Sequence, residues 1–290
     1  MNTHTITVLD SRLHDLGGFS VRRVIPQRSV RHVGPFVFFD HIGPADFPAG
    51  QGIDVRPHPH IGLATVTYLF AGALRHRDSL DNDQTIRPGD VNWMTAGRGI
   101  VHSERTPDAE RAAGQHMHGI QIWVALPRDF EETEPSFHHH AAADLPQFEI
   151  GGVRLRLIVG DAFVRHSPVR TFSPMFYLAA DFAANTRFEL PAEHEERAVY
   201  ATDAVLDVCG VSVNPGQIAL LPAGNPFEIG TGSATRALIL GGAPLDGERH
   251  LWWNFVSSSP ERIERAKADW VEGRFGRVRG DDEFIPLPDR

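Results

Sequence analysis

The sequence predicts an all-β protein of two β-barrel or jelly-roll domains, with one helix near its C-terminal end. Three observations carry that prediction. Short β-branched and aromatic runs recur between Gly, Pro, Asn and Asp, as in "FSVRRVI", "ATVTYLFAG", "GIQIWVALP", "VRLRLIVG", "FYLAADF" and "VLDVCGVSV". Short, evenly spaced strands with turn residues between them suggest a sandwich, jelly roll or barrel. A faint internal repeat joins "IRPGDVNWMTAG" (Ile86 to Gly97) to "VNPGQIALLPAG" (Val213 to Gly224). Each has a Pro-Gly turn, an apolar strand and a closing Ala-Gly, the trace a duplicated β-domain leaves. Finally, one segment shows convincing helical periodicity. In "SSPERIERAKADWVEG", Ser259 suits an N-cap and Pro260 the first helical position, while Ile263, Ala266, Trp270 and Val271 fall on one face.

Taken in order, the first residues, "MNTHTITVLDSRLHDLGGF", lack the basic and apolar regions of a secretory signal. The length of 290 residues favours two domains, here 1–135 and 136–290. The boundary is expected within "RDFEETEPSFHHHAAADLPQFE", which is charged, carries Pro135 and Pro146 and lacks strand periodicity. His138 to His140 fall in this stretch and read as a solvated run. The tail "RGDDEFIPLPDR" reads as extended, and "RVRGDDEF" as solvated surface.

Composition narrows the function. Hydrophobic residues make up 41% and charged residues 22%, the balance of a globular protein. A net charge of −9 argues against direct nucleic-acid binding, which needs a clustered basic face. No apolar run approaches the roughly 20 residues of a membrane helix. The single cysteine, Cys209, permits no intramolecular disulfide and points to a reducing, cytoplasmic setting. No G-x-S-x-G elbow, P-loop or dinucleotide fingerprint is present.

The 16 histidines are the informative residues. In "RPHPHIGLATVTYLF", Pro57 and Pro59 favour extended backbone before His58 and His60. Residues i and i+2 of a strand share a face, so the two imidazoles point the same way. Continued to Phe70, the strand puts Gly62, Ala64, Val66 and Tyr68 on that face, with small side chains leaving room beside the histidines. "GRGIVHSERTP" repeats the form with His102 and Glu104. Three imidazoles and a carboxylate suit one mononuclear Fe, Mn, Ni, Cu or Zn ion. Such a set leaves coordination positions open for a substrate or O₂. "GQHMHGIQIW" offers a rival pair, His116 and His118. His118 reads as a pocket-lining or supporting group, or as a structural histidine. The second half has only His194 where a first histidine motif would stand, so its barrel is expected to hold no metal.

"HPHIGLATVTYLFAG" followed by "PGDVNWMTAGRGIVHSE" resembles the paired signature of the pirin family, within the cupin superfamily. Gly52, His58 and His60 match the cupin first motif, G-x5-H-x-H-x3–4-E-x6-G. Pro88 to Glu104 resemble the second pirin motif, and "HGIQIWVALP" and "WWNFVSSSPERIERAKADW" resemble later pirin segments. The resemblance implies two cupin barrels packed face to face, with the metal in the N-terminal one. It places the ligands on His58, His60, His102 and Glu104. The glutamate that usually ends the first motif falls on Ala64, which changes the inner pocket. The family implies an Fe(II) dioxygenase acting on flavonols such as quercetin, with Glu104 also able to take the substrate's hydroxyl proton. The alternative it implies is a metal- and redox-sensing regulator that binds protein partners without turnover.

Overall fold

A computed structural model describes residues 5–16 and 18–288. About half of the chain is strand and less than a tenth is helix, in two cupin domains with a helix near the C-terminus. Two compact units emerge, and they are not consecutive halves of the chain. One comprises Asp40–Ala142, the residues from Leu245 onward and the short piece Asp15–Val21. The other comprises Arg22–Phe39, Ala143–Pro244 and the described residues up to His14. The chain therefore changes units at 142/143, close to the expected boundary, but the C-terminal helix and tail return to the histidine-bearing unit.

That unit is built from two sheets. The larger runs Ser136–His140, Val91–Thr95, Leu63–Ala71, Gln115–Ala125 and the part of strand Phe36–Phe47 from Asp40 onward, in order. The smaller runs Asp54–His60, Ile100–Arg105, Leu74–Asp78 and Asp83–Ile86. Strands Asp54–His60 and Leu63–Ala71 are separate because Gly62 turns the chain with φ of 68°. This left-handed conformation is cheap only for glycine. A Cβ at Gly62 would also lie 1.9 Å from the Val256 carbonyl oxygen.

The expected boundary stretch, which lacks strand periodicity in sequence, supplies strands Ser136–His140 and Gln147–Ile150. Of the histidine run, His138 is exposed, while His139 Nδ1 donates to Asn92 Oδ1 at 2.7 Å. Glu131, from the same stretch, is buried against Arg249, Ser257 and Ser258.

The second unit pairs Thr7–Asp10, Gln217–Leu221, Glu196–Ala201, Thr235–Gly242, Met175–Phe182, Val153–Ala162 and Gln147–Ile150 in one sheet. Arg187–Leu190, Phe227–Gly230, Leu206–Val208 and Val211–Val213 form the other. Its interior is an apolar cluster that includes Leu155, Phe176, Leu178, Val199, Leu221 and Ile239. His194 stacks on Phe176 and meets the Asp161 carbonyl. The internal repeat is real at the level of turns. Asp90 N–H donates to Arg87 O across Pro88-Gly89, and Gln217 N–H to Asn214 O across Pro215-Gly216. Both glycines have positive φ, 86° and 83°, as Pro-Gly turns require.

The helix spans Pro260–Val271, and Ser259 Oγ accepts from Arg262 N–H at 3.2 Å. Ile263 and Ala266 are buried as the periodicity predicts, but Val271 is exposed. Arg262 takes a buried place instead, with its guanidinium on Glu132 and the Arg98 carbonyl. The charge run beyond the helix is likewise not all solvated. Asp281 is buried between Arg77 and Arg105, and Ile285 N–H donates to Pro57 O. These bonds tie the tail across the backs of the strands that carry the histidines.

Candidate metal centre

Strand pairing brings the predicted residues together. His102 lies directly opposite His58 on one neighbouring strand and opposite Asp78 on the other. Facing residues on paired strands share a side of the sheet. A register shift between His102 and Glu104 sets Val55, rather than Arg56, opposite Glu104. His58, His60 and His102 are all buried, at 6%, 1% and 1% exposure. One nitrogen from each lies within 4.8 Å of the others.

The hydrogen bonds decide which nitrogen each ring presents. His58 Nδ1 meets Arg56 O at 2.9 Å, and His60 Nδ1 meets Asn254 O at 3.1 Å. A carbonyl only accepts, so each Nδ1 carries the proton and each Nε2 carries the lone pair. His60 Nε2 and His102 Nε2 stand 3.1 Å apart. Two nitrogens at right angles on an ion with bonds near 2.1 Å would be about 3.0 Å apart, and at the tetrahedral angle about 3.4 Å. The spacing is one that two ligands of a single ion take, so the residues fit a bound metal.

Burial is the first cause that lowers the pKa of all three histidines. For His58 it is opposed by the Arg56 carbonyl and the charge of Glu104. His60 and His102 lie well below the ordinary value, lowered further by the neighbouring imidazoles. Rings kept neutral are rings that can ligate.

Glu104 is placed differently. It is not among the three residues within 4.8 Å of one another. Gln121 Nε2 donates to both carboxylate oxygens, at 2.9 and 2.7 Å, and Thr67 Oγ1 donates at 3.3 Å. The carboxylate is thus held on the larger sheet's side of the interior.

Ala64 does not face the interior that holds the three histidines. Because Gly62 turns the chain, strand alternation restarts, and Thr67 faces Glu104. Thr65 shares the face of Thr67, while Ala64, Val66 and Tyr68 take the other. Thr65 also lies opposite Trp123, whose ring packs on His60 at 5.1 Å. The motif spacing agrees: four residues separate His60 from Thr65, and six separate Thr65 from Gly72. The motif's glutamate therefore falls on Thr65, a hydroxyl, and the change at Ala64 leaves the pocket untouched.

His118 sits elsewhere, its Nε2 2.7 Å from that of His41 and its ring against Phe70. His116 is exposed and pairs with Asp46. Sequence reasoning missed Gln121, Thr67, His76 and Asp78. The last two had a signal, since "LRHRD" repeats the two-apart spacing of polar residues on a strand.

A model of the family described as Pirin matches residues 18–124, and one described as Pirin C-terminal cupin domain matches 177–276. A pirin-like protein of Caulobacter vibrioides is 48% identical over 97% of this chain and 99% of its own length. A Pseudomonas aeruginosa protein provisionally named a quercetin 2,3-dioxygenase is 40% identical over 95% of this chain and 87% of its own. The crystal structure of a quercetin 2,3-dioxygenase from Acinetobacter baumannii is 36% identical with a TM-score of 0.91, covering 98% of this chain and 96% of that one.

Proposed function

The chain belongs to the pirin family, and from that premise we propose that it is a dioxygenase acting on flavonols such as quercetin, using one Fe(II) ion. Mn, Ni, Cu and Zn suit the same donors. The observation that carries the reading is the convergence of three imidazoles, two with Nδ1 committed to a carbonyl and all with Nε2 turned inward. The related proteins provisionally or plainly named quercetin 2,3-dioxygenases support the substrate class and O₂ as co-substrate.

When bound, the ion supplies a Lewis-acid, redox-active centre that favours the ionised form of a flavonol hydroxyl. His58, His60 and His102 would hold it, with Glu104 as a fourth ligand or as the carboxylate that would take the hydroxyl proton. Gln121 and Thr67 aim that carboxylate. Thr65 and Trp123 form the adjoining wall. The single cysteine fits a cytoplasmic site of action. Oxygen uptake by Fe(II)-loaded protein should depend on added quercetin. Uptake no faster than that of a His58→Ala/His60→Ala protein would overturn the assignment.

A second reading, a metal- and redox-sensing regulator acting through protein partners, draws support from the burial of the site. The 570 Å³ cavity lined by Pro57, Val101, Trp270 and Phe284 lies on the opposite strand faces from His58 and His102. Partner capture that follows the iron's oxidation state, without flavonol turnover, would favour this reading.

A further inference from the structure

The least expected feature of the site is a chain of side chains behind His102. His102 Nδ1 lies 3.3 Å from His76 Nδ1, and His76 Nε2 lies 3.0 Å from Asp78 Oδ2. His76 and Asp78 are buried on the strand Leu74–Asp78 and share the face of His102 and Glu104. Asp78 is itself anchored. Leu80 N–H, Asn82 N–H and Asn82 Nδ2 all donate to it, at 2.9 to 3.1 Å. Phe137 stacks on the His76 ring at 4.2 Å and 13°, fixing its plane.

With His76 neutral, proton bookkeeping along this chain has one consistent solution. Every other partner of Asp78 donates to it, so His76 Nε2 donates as well. The Nδ1 of a neutral His76 then carries a lone pair and accepts from His102 Nδ1–H. That leaves the lone pair of His102 on Nε2, the atom turned toward His60. His58 and His60 reach the same tautomer through backbone carbonyls. His102 alone is set by a buried side-chain carboxylate acting through a second imidazole.

We propose that His76 and Asp78 are positioning residues for His102, fixing its tautomer and lending it negative charge through the hydrogen-bonded chain. This rests on the metal-centre reading above. Partners of this kind orient a ligating ring and make it more basic. The dyad therefore sets how tightly the ion is held, and it lowers the ion's reduction potential by favouring the higher charge state. Neither residue touches the ion or the substrate.

The test has two arms. In the first, Zn(II)-loaded wild-type protein with ¹⁵N-labelled histidine is studied by two-bond ¹H–¹⁵N correlation. The expected pattern is His102 protonated on Nδ1 with Nε2 on zinc, and His76 protonated on Nε2 only. A proton on His76 Nδ1 would overturn the proposal. In the second, Asp78→Asn should weaken Zn(II) binding by about 10- to 100-fold and raise the potential of bound iron, while Asp78→Glu recovers part of both. Wild-type affinity and potential in a folded Asp78→Asn protein would sink the dyad's role. A wild-type protein that takes up no Zn(II) or Fe(II) would instead remove the metal-centre reading, a distinguishable result.

Discussion

Replacing Gly62 with alanine tests how a single turn aims the histidines. The new Cβ would lie 1.9 Å from Val256 O and 3.0 Å from Val256 C, both backbone atoms. To restore even 3.0 Å, the carbonyl oxygen must retreat by about 1.1 Å, since such contacts are essentially never shorter. Two residues earlier, Asn254 O accepts from His60 Nδ1 at 3.1 Å, so a shift of that size breaks the bond. The left-handed φ of 68° adds about 1 kcal/mol for any residue with a Cβ. Strain and displacement together should cost about 3–5 kcal/mol and lower the melting temperature by roughly 6–15 °C. Metal affinity should fall by about 10- to 100-fold, because His60 loses the anchor of its tautomer. Gly224→Ala is the control: its φ is 84° but nothing lies within 4 Å of the added Cβ. That change should cost only about 1 kcal/mol and leave metal binding alone. Calorimetric melting and metal titration read both effects. A Gly62→Ala protein indistinguishable from the Gly224→Ala control in both would refute the argument that this turn positions His60.

Other outcomes follow from the same geometry. Gln121→Leu removes the donor shared by both oxygens of Glu104, so quercetin-dependent oxygen uptake should drop by roughly 10- to 100-fold with metal content preserved. Unchanged turnover would mean that Gln121 does not aim the carboxylate. Asp281→Asn should cost about 1–3 kcal/mol and speed amide exchange at Ile285, whose N–H is bonded to Pro57 O. If Ile285 exchanges at the wild-type rate, the Arg77–Asp281–Arg105 contacts do not hold the tail. In metal-free protein, His58, His60 and His102 have depressed values when folded and ordinary ones near 6.5 when unfolded. The unfolded chain then binds more protons below pH about 6.5, so stability is full above that pH and falls on acidification. Each histidine that stays neutral adds a slope of up to about 1.4 kcal/mol per pH unit. A His60→Gln/His102→Gln protein should melt with a shallower pH dependence between 7 and 5, and an equal slope would exclude these rings as its source.

Local rules made much of this legible in advance. Two-residue spacing found His58 with His60 and His102 with Glu104, because alternation along a strand is a short-range property. The N-cap at Ser259 and the paired Pro-Gly turns were readable for the same reason. What escaped depends on contacts far apart in sequence. Alternation read through Gly62 lands on Ala64 instead of Thr65, because the left-handed turn at Gly62 packs against Val256, nearly two hundred residues away. Arg262 takes the buried side in place of Val271 because Glu132 and Arg98 O, on two distant turns, satisfy its guanidinium. Asp281 looked solvated until Arg77 and Arg105 met it. The edge strand Ser136–His140 exists because Val91–Thr95 offers it a partner, a fact no window of local sequence contains.

The two units use the same Pro-Gly turn and then fill their interiors in opposite ways. The second packs aromatic and aliphatic side chains, including Phe176, Leu178, Val199 and Ile239. The first buries His58, His60, His76, His102, Glu104, Asp78 and Thr67 together. Buried polar groups destabilise a fold unless each is paired. Here the pairing is almost complete: carbonyls take two Nδ1 protons, His76 and Asp78 take the third, and Gln121 and Thr67 hold the carboxylate. The exception lies at the centre, where His60 Nε2 and His102 Nε2 face each other at 3.1 Å. A polar cluster kept only for stability would have a proton between those two atoms, which would strip one ring of the Nδ1 proton its partner requires. With His76 neutral, the partners behind the rings oppose that arrangement, and the proposed metal ion is a species that would satisfy both nitrogens at once.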